Sequence, residues 1–320
     1  MSSTAEIMAR CQGLFEDLNY SDARAWKAKV PGRKVVGFLP VYVPLEMVHA
    51  AGCLPLGIFG GGDQLEVIHG DAYYQSYICR IPRSTIELGV TGRKITDDDL
   101  RRSIKLYNEN RRLIREVYAF RAREPWRAPT SEVYVIMRAG LMMEVEEHNQ
   151  ILRDYMDAAA REDRPQRDNV RVAIYGSFCE QPPLNLIKSV EMAGCYVVDD
   201  DYSLVNRFLT EDVPTDGDPL AALAETYLKH SVETSCKYVP KEEDKGKFHV
   251  ESVRKSGAEG VIYATPSFCD PALLDRPMIA HRLTEAGIPH INFKYAENSG
   301  QMQPIREQAG TFADSLKLWS

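Results

Sequence analysis

Seven cysteines are scattered along the 320-residue chain, at positions 11, 53, 79, 179, 195, 236 and 269. An odd number so widely spread suits reduced thiols or metal ligands better than a disulfide framework. No two lie within four residues of each other, which excludes a ferredoxin-type run or a C-x-x-C zinc site. Position says more than spacing. Cys269 stands in TPSFCDP, between a β-rich run and a helical one. Open parallel α/β sheets hold their ligands at the carboxyl ends of strands. A thiol just before a helix also has its thiolate favoured, and the thiolate is the form that binds metal. Cys79, in SYICRIPRSTIELG, is flanked by Arg80 and Arg83, whose charges act in the same direction. Cys179 (GSFCEQPP) occupies the corresponding loop of another unit and Cys236 lies in the polar SCKY; both are second-tier candidates. Cys53 and Cys195 each follow a glycine at a helix-to-strand turn, where a buried inert thiol is the plain expectation.

Other chemistries find less support. There is no G-x-x-x-x-G-K-[ST], and the single glycine run, Gly60-Gly61-Gly62, lacks dinucleotide-binding spacing, so it reads as a turn. Neither ATP nor NAD is expected to bind this chain by itself. A G-x-S-x-G nucleophile elbow is absent, and His148 in EVEEHNQIL does not form H-E-x-x-H. The run Asp199-Asp200-Asp201 follows a strand and could bind a ligand, but a solvated strand end is the simpler expectation.

The elements that must position these thiols are legible as three strand–helix–strand units. They read KVVGFLP, PLEMVHAAG and LPLGIFG; then VRVAIYG, PPLNLIKSVEMAG and CYVVDDD; then GVIYATP, ALLDRPMIAHRLTEAG and IPHINF. Pro44 suits a first helical position, and each helix is closed by glycine. Short β-rich runs alternating with helices predict an α/β fold built on parallel sheets. Between the first two units, ITDDDLRRSIKLYNENRRLIREVYAFR opens with the capping-box pattern Thr96-x-x-Asp99 and keeps helical spacing at Leu100, Ile104, Tyr107, Ile114 and Val117. A second helix is expected around Met143–Ala160, followed by the charged linker AREDRPQRDN. The expected architecture is two lobes, residues 1–165 and 166–320, each with a parallel sheet flanked by helices, plus a helical segment between them.

Composition fits a globular chain with 44% hydrophobic and 27% charged residues, and 320 residues exceed one usual core. With 39 basic and 46 acidic residues the formal charge is −7, so nucleic acid is not an expected partner. No run approaches the ~18 apolar residues of a membrane span. The N-terminal MSSTAEIMARCQGLFEDLNY lacks a signal peptide's basic start and apolar stretch, so a cytoplasmic location is expected.

Five phrases together resemble one family. FLPVYVPLEMVHAAGCLPLGIFG carries Pro-x-Glu-x-(Ile/Val)-x-Ala-Ala-Gly-x-x-Pro; KITDDDLRRSIKLYNENRRLIREVY, CEQPPLNLIKSVEMAGCYVVDDD, SGAEGVIYATPSFCDP and ENSGQMQPIREQAGTF follow in order. They are similar to the benzoyl-CoA reductase and 2-hydroxyacyl-CoA dehydratase family, over about residues 30–320. SFCEQPP, the N-terminal LFEDLNY and the short length are most similar to a small non-ATPase subunit of its ATP-dependent benzoyl-CoA reductases.

The resemblance implies a [4Fe-4S] cluster held by three cysteines, with an open position facing an acyl-CoA pocket. Cys79 matches the first ligand and Cys269 the last. The middle ligand is expected some thirty residues after the first, but IELGV (86–90) runs directly into TGRKITDDD (91–99), and no cysteine lies between Cys79 and Cys179. Against the family pattern a stretch of several dozen residues is absent at about Val90–Thr91, which implies either a shortened paralogue or, as the favoured expectation, a longer natural chain that carries the segment and the third ligand. The implied partners are a homologous cluster-bearing subunit, two ATPase subunits and reduced ferredoxin, with benzoyl-CoA as substrate and two-electron ring reduction as the reaction. The implied alternatives are a 2-hydroxyacyl-CoA dehydratase subunit, working by ketyl-radical dehydration, and a scaffold subunit without a cluster. No protonating residue stands out among 16 tyrosines, His281 and His290. Arg306 could face CoA phosphates or make a surface ion pair. Zinc is a minor option, because Cys79 and Cys269 are 269 − 79 = 190 positions apart.

Overall fold

A computed structural model describes residues 2–17, 19–38, 43–58, 96–176, 182–232, 245–267, 269–295 and 302–319. The fold is α/β with two sheets, both wholly parallel and flanked by helices. Helices α1 (Thr4–Glu16) and α2 (Ser21–Ala28) precede the first unit, β1 (Lys34–Phe38), α3 (Leu45–Ala50) and β2 (Cys53–Gly57). The two strands pair in parallel from Lys34 opposite Cys53 to Phe38 opposite Gly57. Pro44 lies one place earlier than expected, as the N-cap of α3 in extended conformation.

The helical block comprises α4 (Asp97–Arg123), α5 (Thr130–Ala139) and α6 (Val145–Arg161). The Thr96 capping box forms as the sequence suggests: Thr96 accepts from the Asp99 amide while the Asp99 carboxylate accepts from the Thr96 amide. One face of α4 packs with α1, α5 and α6 around Ile7, Leu14, Ile114, Val117, Ile136 and Leu152, all buried. Residues 163–169, in the expected linker, carry no regular structure.

The second sheet has the order β4-β3-β5-β6. It is built from β3 (Val170–Tyr175), α7 (Leu184–Met192), β4 (Cys195–Asp200), α8 (Leu204–Arg207), α9 (Pro219–Lys229), α10 (Lys247–Ser256), β5 (Gly260–Pro266), α11 (Asp270–Glu285), β6 (His290–Tyr295) and α12 (Met302–Trp319). Both faces are covered, which is why its strands are nearly continuous in apolar residues. Alternation divides them: Val172, Ile174 and Ile262 meet α7 and α12, whereas Ala173, Tyr175, Val261 and Tyr263 meet α10 and α11. The glycines closing α3, α7 and α11, at 52, 194 and 287, adopt the left-handed conformation that turns each chain back into the next strand. Among the described residues no helix is long and apolar enough to cross a membrane.

Candidate functional site

The strand order reverses between β3 and β5, and in such sheets the crevice at the carboxyl ends of those strands is where ligands bind. Cys269 lies on that edge. β5 ends at Pro266, the Ser267 amide and hydroxyl both donate to the Tyr295 carbonyl (2.8 and 2.9 Å), and the Cys269 amide donates to Pro266 (3.1 Å). Cys269 is then the N-cap of the sixteen-residue α11, only 6% exposed, its carbonyl accepting from Leu273 at 3.0 Å. The partial positive charge of that helix end favours a thiolate there. On the β3 side the chain passes close by. Gly176 has φ +109°, its amide donates to Asp201 at 2.6 Å, and a Cβ at this position would lie 2.7 Å from the Ala264 carbonyl oxygen.

Cys79, Cys179 and Cys236 lie outside the described residues, and no group of three metal-binding side chains occurs among the described ones. The remaining described thiols, Cys11, Cys53 and Cys195, lie neither at the carboxyl end of a strand nor at a helix N-terminus. Burial pushes Cys11 up to about 11, Cys195 up to about 12, and Cys53 upward as well, so all three stay protonated at neutral pH. Cys53 and Cys195 are buried, as their turn positions suggest. Of the described cysteines, Cys269 alone combines the sheet edge with a helix N-terminus, which fits one thiolate ligand of a cluster.

The acid run at the end of β4 is not a solvated strand end. Asp199 and Asp200 are 6% and 4% exposed. Asp200 pairs with the fully buried Arg121 of α4 at 2.6 Å and accepts from the Tyr118 hydroxyl at 3.2 Å. Asp199 accepts from Arg207 (3.0 Å), Tyr175 (3.0 Å) and Ser252 (2.6 Å). Burial would raise the Asp199 carboxyl, but Arg207 and these hydrogen bonds outweigh it and hold it below the usual range. Arg207 also stacks 3.7 Å above the Tyr118 ring. The run thus ties the helical block to the sheet, because two buried carboxylates need buried cations. His249 sits beside this network, edge-on to Tyr175, and burial pulls it down to about 4.

A second buried polar group begins at Glu46 in the Pro-x-Glu phrase, whose burial the sequence pattern does not reveal. Glu46 is 2% exposed in the first turn of α3 and pairs with Arg111 of α4 at 2.5 Å. Around them stand His49, bonded to Ser103 at 3.0 Å, and Asn110, bonded to His148 at 2.9 Å. Arg306, His281 and His290 are not drawn into either group. Arg306 is exposed, His281 lies against Glu285 at 3.3 Å on the surface, and His290 meets the Ile288 carbonyl.

Residues 40–91 and 89–316 match the family model described as 2-hydroxyglutaryl-CoA dehydratase, D-component. The chain belongs to this family. Among its relatives, the C-type subunit of benzoyl-CoA reductase from Thauera aromatica is 54% identical over 385 positions, covering 99% of this chain and all of that one. The (R)-phenyllactyl-CoA dehydratase beta subunit of Clostridium sporogenes is 24% identical over 353 positions, with 89% and 92% of the two chains covered. The beta subunit of (R)-2-hydroxyglutaryl-CoA dehydratase from Acidaminococcus fermentans is 24% identical over 364 positions, with 91% and 94% covered. The family match divides at 89–91, and 385 − 320 leaves at least 65 positions of the Thauera relative without a counterpart here.

Proposed function

We propose that this chain is a subunit of an ATP-dependent, ferredoxin-linked benzoyl-CoA reductase. Paired with a homologous cluster-bearing subunit, it forms the chamber in which the aromatic thioester takes up two electrons and two protons to give a cyclic dienoyl-CoA. The observation that carries this reading is the 54% identity to the Thauera benzoyl-CoA reductase subunit along the whole chain. Cys79 and Cys269 would hold a [4Fe-4S] cluster, Cys269 as a buried thiolate at the start of α11. When bound, such a cluster supplies single electrons at the low end of the biological range, which reduction of an aromatic ring requires. Two partner ATPases would consume the ATP, in keeping with the lack of a phosphate-binding loop in this sequence. The enzyme is cytoplasmic in this reading.

The middle ligand would belong to the segment missing near Val90–Thr91. Division of the family match at 89–91 and the 65 unmatched positions of the Thauera relative support that placement.

Two rivals remain concrete. The dehydratase beta subunits at 24% identity favour a 2-hydroxyacyl-CoA dehydratase, which eliminates water without net reduction. Anaerobic assay of the assembled complex with benzoyl-CoA and 2-hydroxyglutaryl-CoA separates the two, and turnover of the hydroxyacyl substrate alone overturns the reductase. The unmatched positions favour a scaffold that has lost the cluster. Iron and acid-labile sulfide in the anaerobically purified chain decide this, and the absence of both would establish the scaffold.

A further inference from the structure

Helix α9, PLAALAETYLK, is apolar nearly all round. Its inner side packs on α4, where Leu223 with Ala222 and Tyr227 meets Leu100 and Ile104. On its outer side Leu220, Ala224 and Leu228 recur every four residues with Ala221 beside them, and all four are exposed, the leucines by 54% and 78%. Charge is confined to one shoulder, at Glu225 and Lys229. Neighbouring α4 shows the contrast, because every exposed residue on it except Ala119 is charged. Single exposed leucines are ordinary, but a contiguous apolar stripe marks a contact surface, and a helix apolar on all sides is one that protein surrounds.

Charge and shape narrow what covers the stripe. Its start is acidic: Asp216 and the N-cap Asp218 are exposed there, and Asp97 and Asp98 stand close, since Arg101, which pairs with both, donates to the Gly217 carbonyl at 2.8 Å. Its close carries Lys229, whose pair with Glu225 at 2.6 Å is an exposed one of the kind that contributes little and exchanges readily. Helices carry their basic residues at the carboxyl end, as α9 itself does, so a helix meeting this acidic start with its own basic end runs antiparallel to α9. Ala221 and Ala224 leave room at the middle for close approach, with Leu220 and Leu228 on either side. Two such helices packed antiparallel set leucine against leucine about a two-fold axis, the arrangement by which chains of one fold pair. A homologous chain presents that counterpart helix, and an unrelated protein has no reason to.

We propose that the outward stripe of α9 is the face on which the homologous subunit docks, its counterpart helix lying antiparallel to α9. The assignment rests on the proposed pairing of this chain with a homologous subunit and locates that pairing on the surface. The test uses the assembled complex. Leu228→Asp is expected to weaken association of the two homologous subunits about tenfold, read by sedimentation over a dilution series, whereas Leu318→Asp, at an equally exposed leucine on α12 (82%), leaves it unchanged. A photoreactive benzophenone attached at Glu225→Cys, on the shoulder of the stripe, is expected to crosslink to the counterpart helix of the homologous subunit. Both positions are exposed in this chain, so neither change disturbs its core. Unchanged association in Leu228→Asp overturns the docking face, as does a crosslink to an ATPase subunit, to a second copy or within this chain. Turnover of benzoyl-CoA by the parent complex, measured alongside, keeps the reductase reading standing where the docking face fails. A parent complex that holds no homologous subunit overturns the pairing, and the docking face with it.

Discussion

At the scale of single residues, Cys269 and His148 are both buried but make opposite demands on solvent. Replacing Cys269 by serine keeps the volume and removes the soft ligand, so iron per chain in anaerobic preparations is expected to fall while the thermal midpoint moves little. Cys195→Ala, deep in the sheet, is the control: it should retain iron and lose stability to the cavity it leaves. His148 carries a pH signature. Its folded value of about 4 lies below the unfolded value near 6.5, so the unfolded chain takes up the proton first. Stability from this residue is intact above about pH 6.5 and is lost as the pH falls toward 4, by roughly 2 kcal/mol at pH 5. Urea titrations at pH 7 and pH 5 should show that loss shrinking in His148→Gln; an equal loss in both proteins would exclude His148 as its source. The place of Cys269 between β5 and α11 was legible because a strand end and a helix start are local patterns. The buried roles of Glu46, Asp199 and Asp200 were not, since Arg111 lies 65 residues from Glu46 and Arg121 lies 79 from Asp200.

Elements were legible where sequence punctuation was strong. The three strand–helix–strand units are bounded by apolar runs and closing glycines, and they fold within a few residues of the expected bounds. Thr96 and Asp99 likewise announce α4. The helix α5 escaped because TSEVYVIMRA mixes β-branched residues and tyrosine without a polar face. It is buried along most of its length, and periodicity carries no information for a helix surrounded by protein. The sharpest demand of any element falls on the end of β3. Gly176 combines a left-handed φ with a Cβ position that would meet backbone rather than a flexible side chain. Alanine there must both adopt a strained dihedral and push the Ala264 carbonyl away, so Gly176→Ala is expected to cost more than about 1 kcal/mol. Gly194→Ala, with a similar φ (+88°) but open space around it, separates the two contributions. The smaller loss should be at 194, measured by chemical denaturation.

For the whole molecule, the seam between the helical block and the second sheet is a buried charge network rather than apolar packing alone. Arg121 and Asp200 are fully withdrawn from water, and each is tolerable only because the other is present. Arg121→Met should leave Asp200 buried without its cation, and Asp200→Asn should strand Arg121. Either single change is expected to cost about 3–5 kcal/mol. The double variant removes both charges, so its loss should be well below the sum of the two, and a double-mutant cycle in urea measures that difference as a coupling energy. Additive losses would mean that the seam is held by its packing. Asp199 gives the same network an acid limit. Its folded carboxyl lies below the ordinary aspartate value, so its contribution is present above about pH 4, the unfolded value, and disappears as the pH falls through the folded one. Because Arg207 joins Asp199 to the Tyr118 face of α4, protonation there should loosen the helical block from the sheet. Hydrogen exchange in α4 should therefore rise below pH 4, and rise at higher pH in Asp199→Asn, if the block and the sheet are held together by charge.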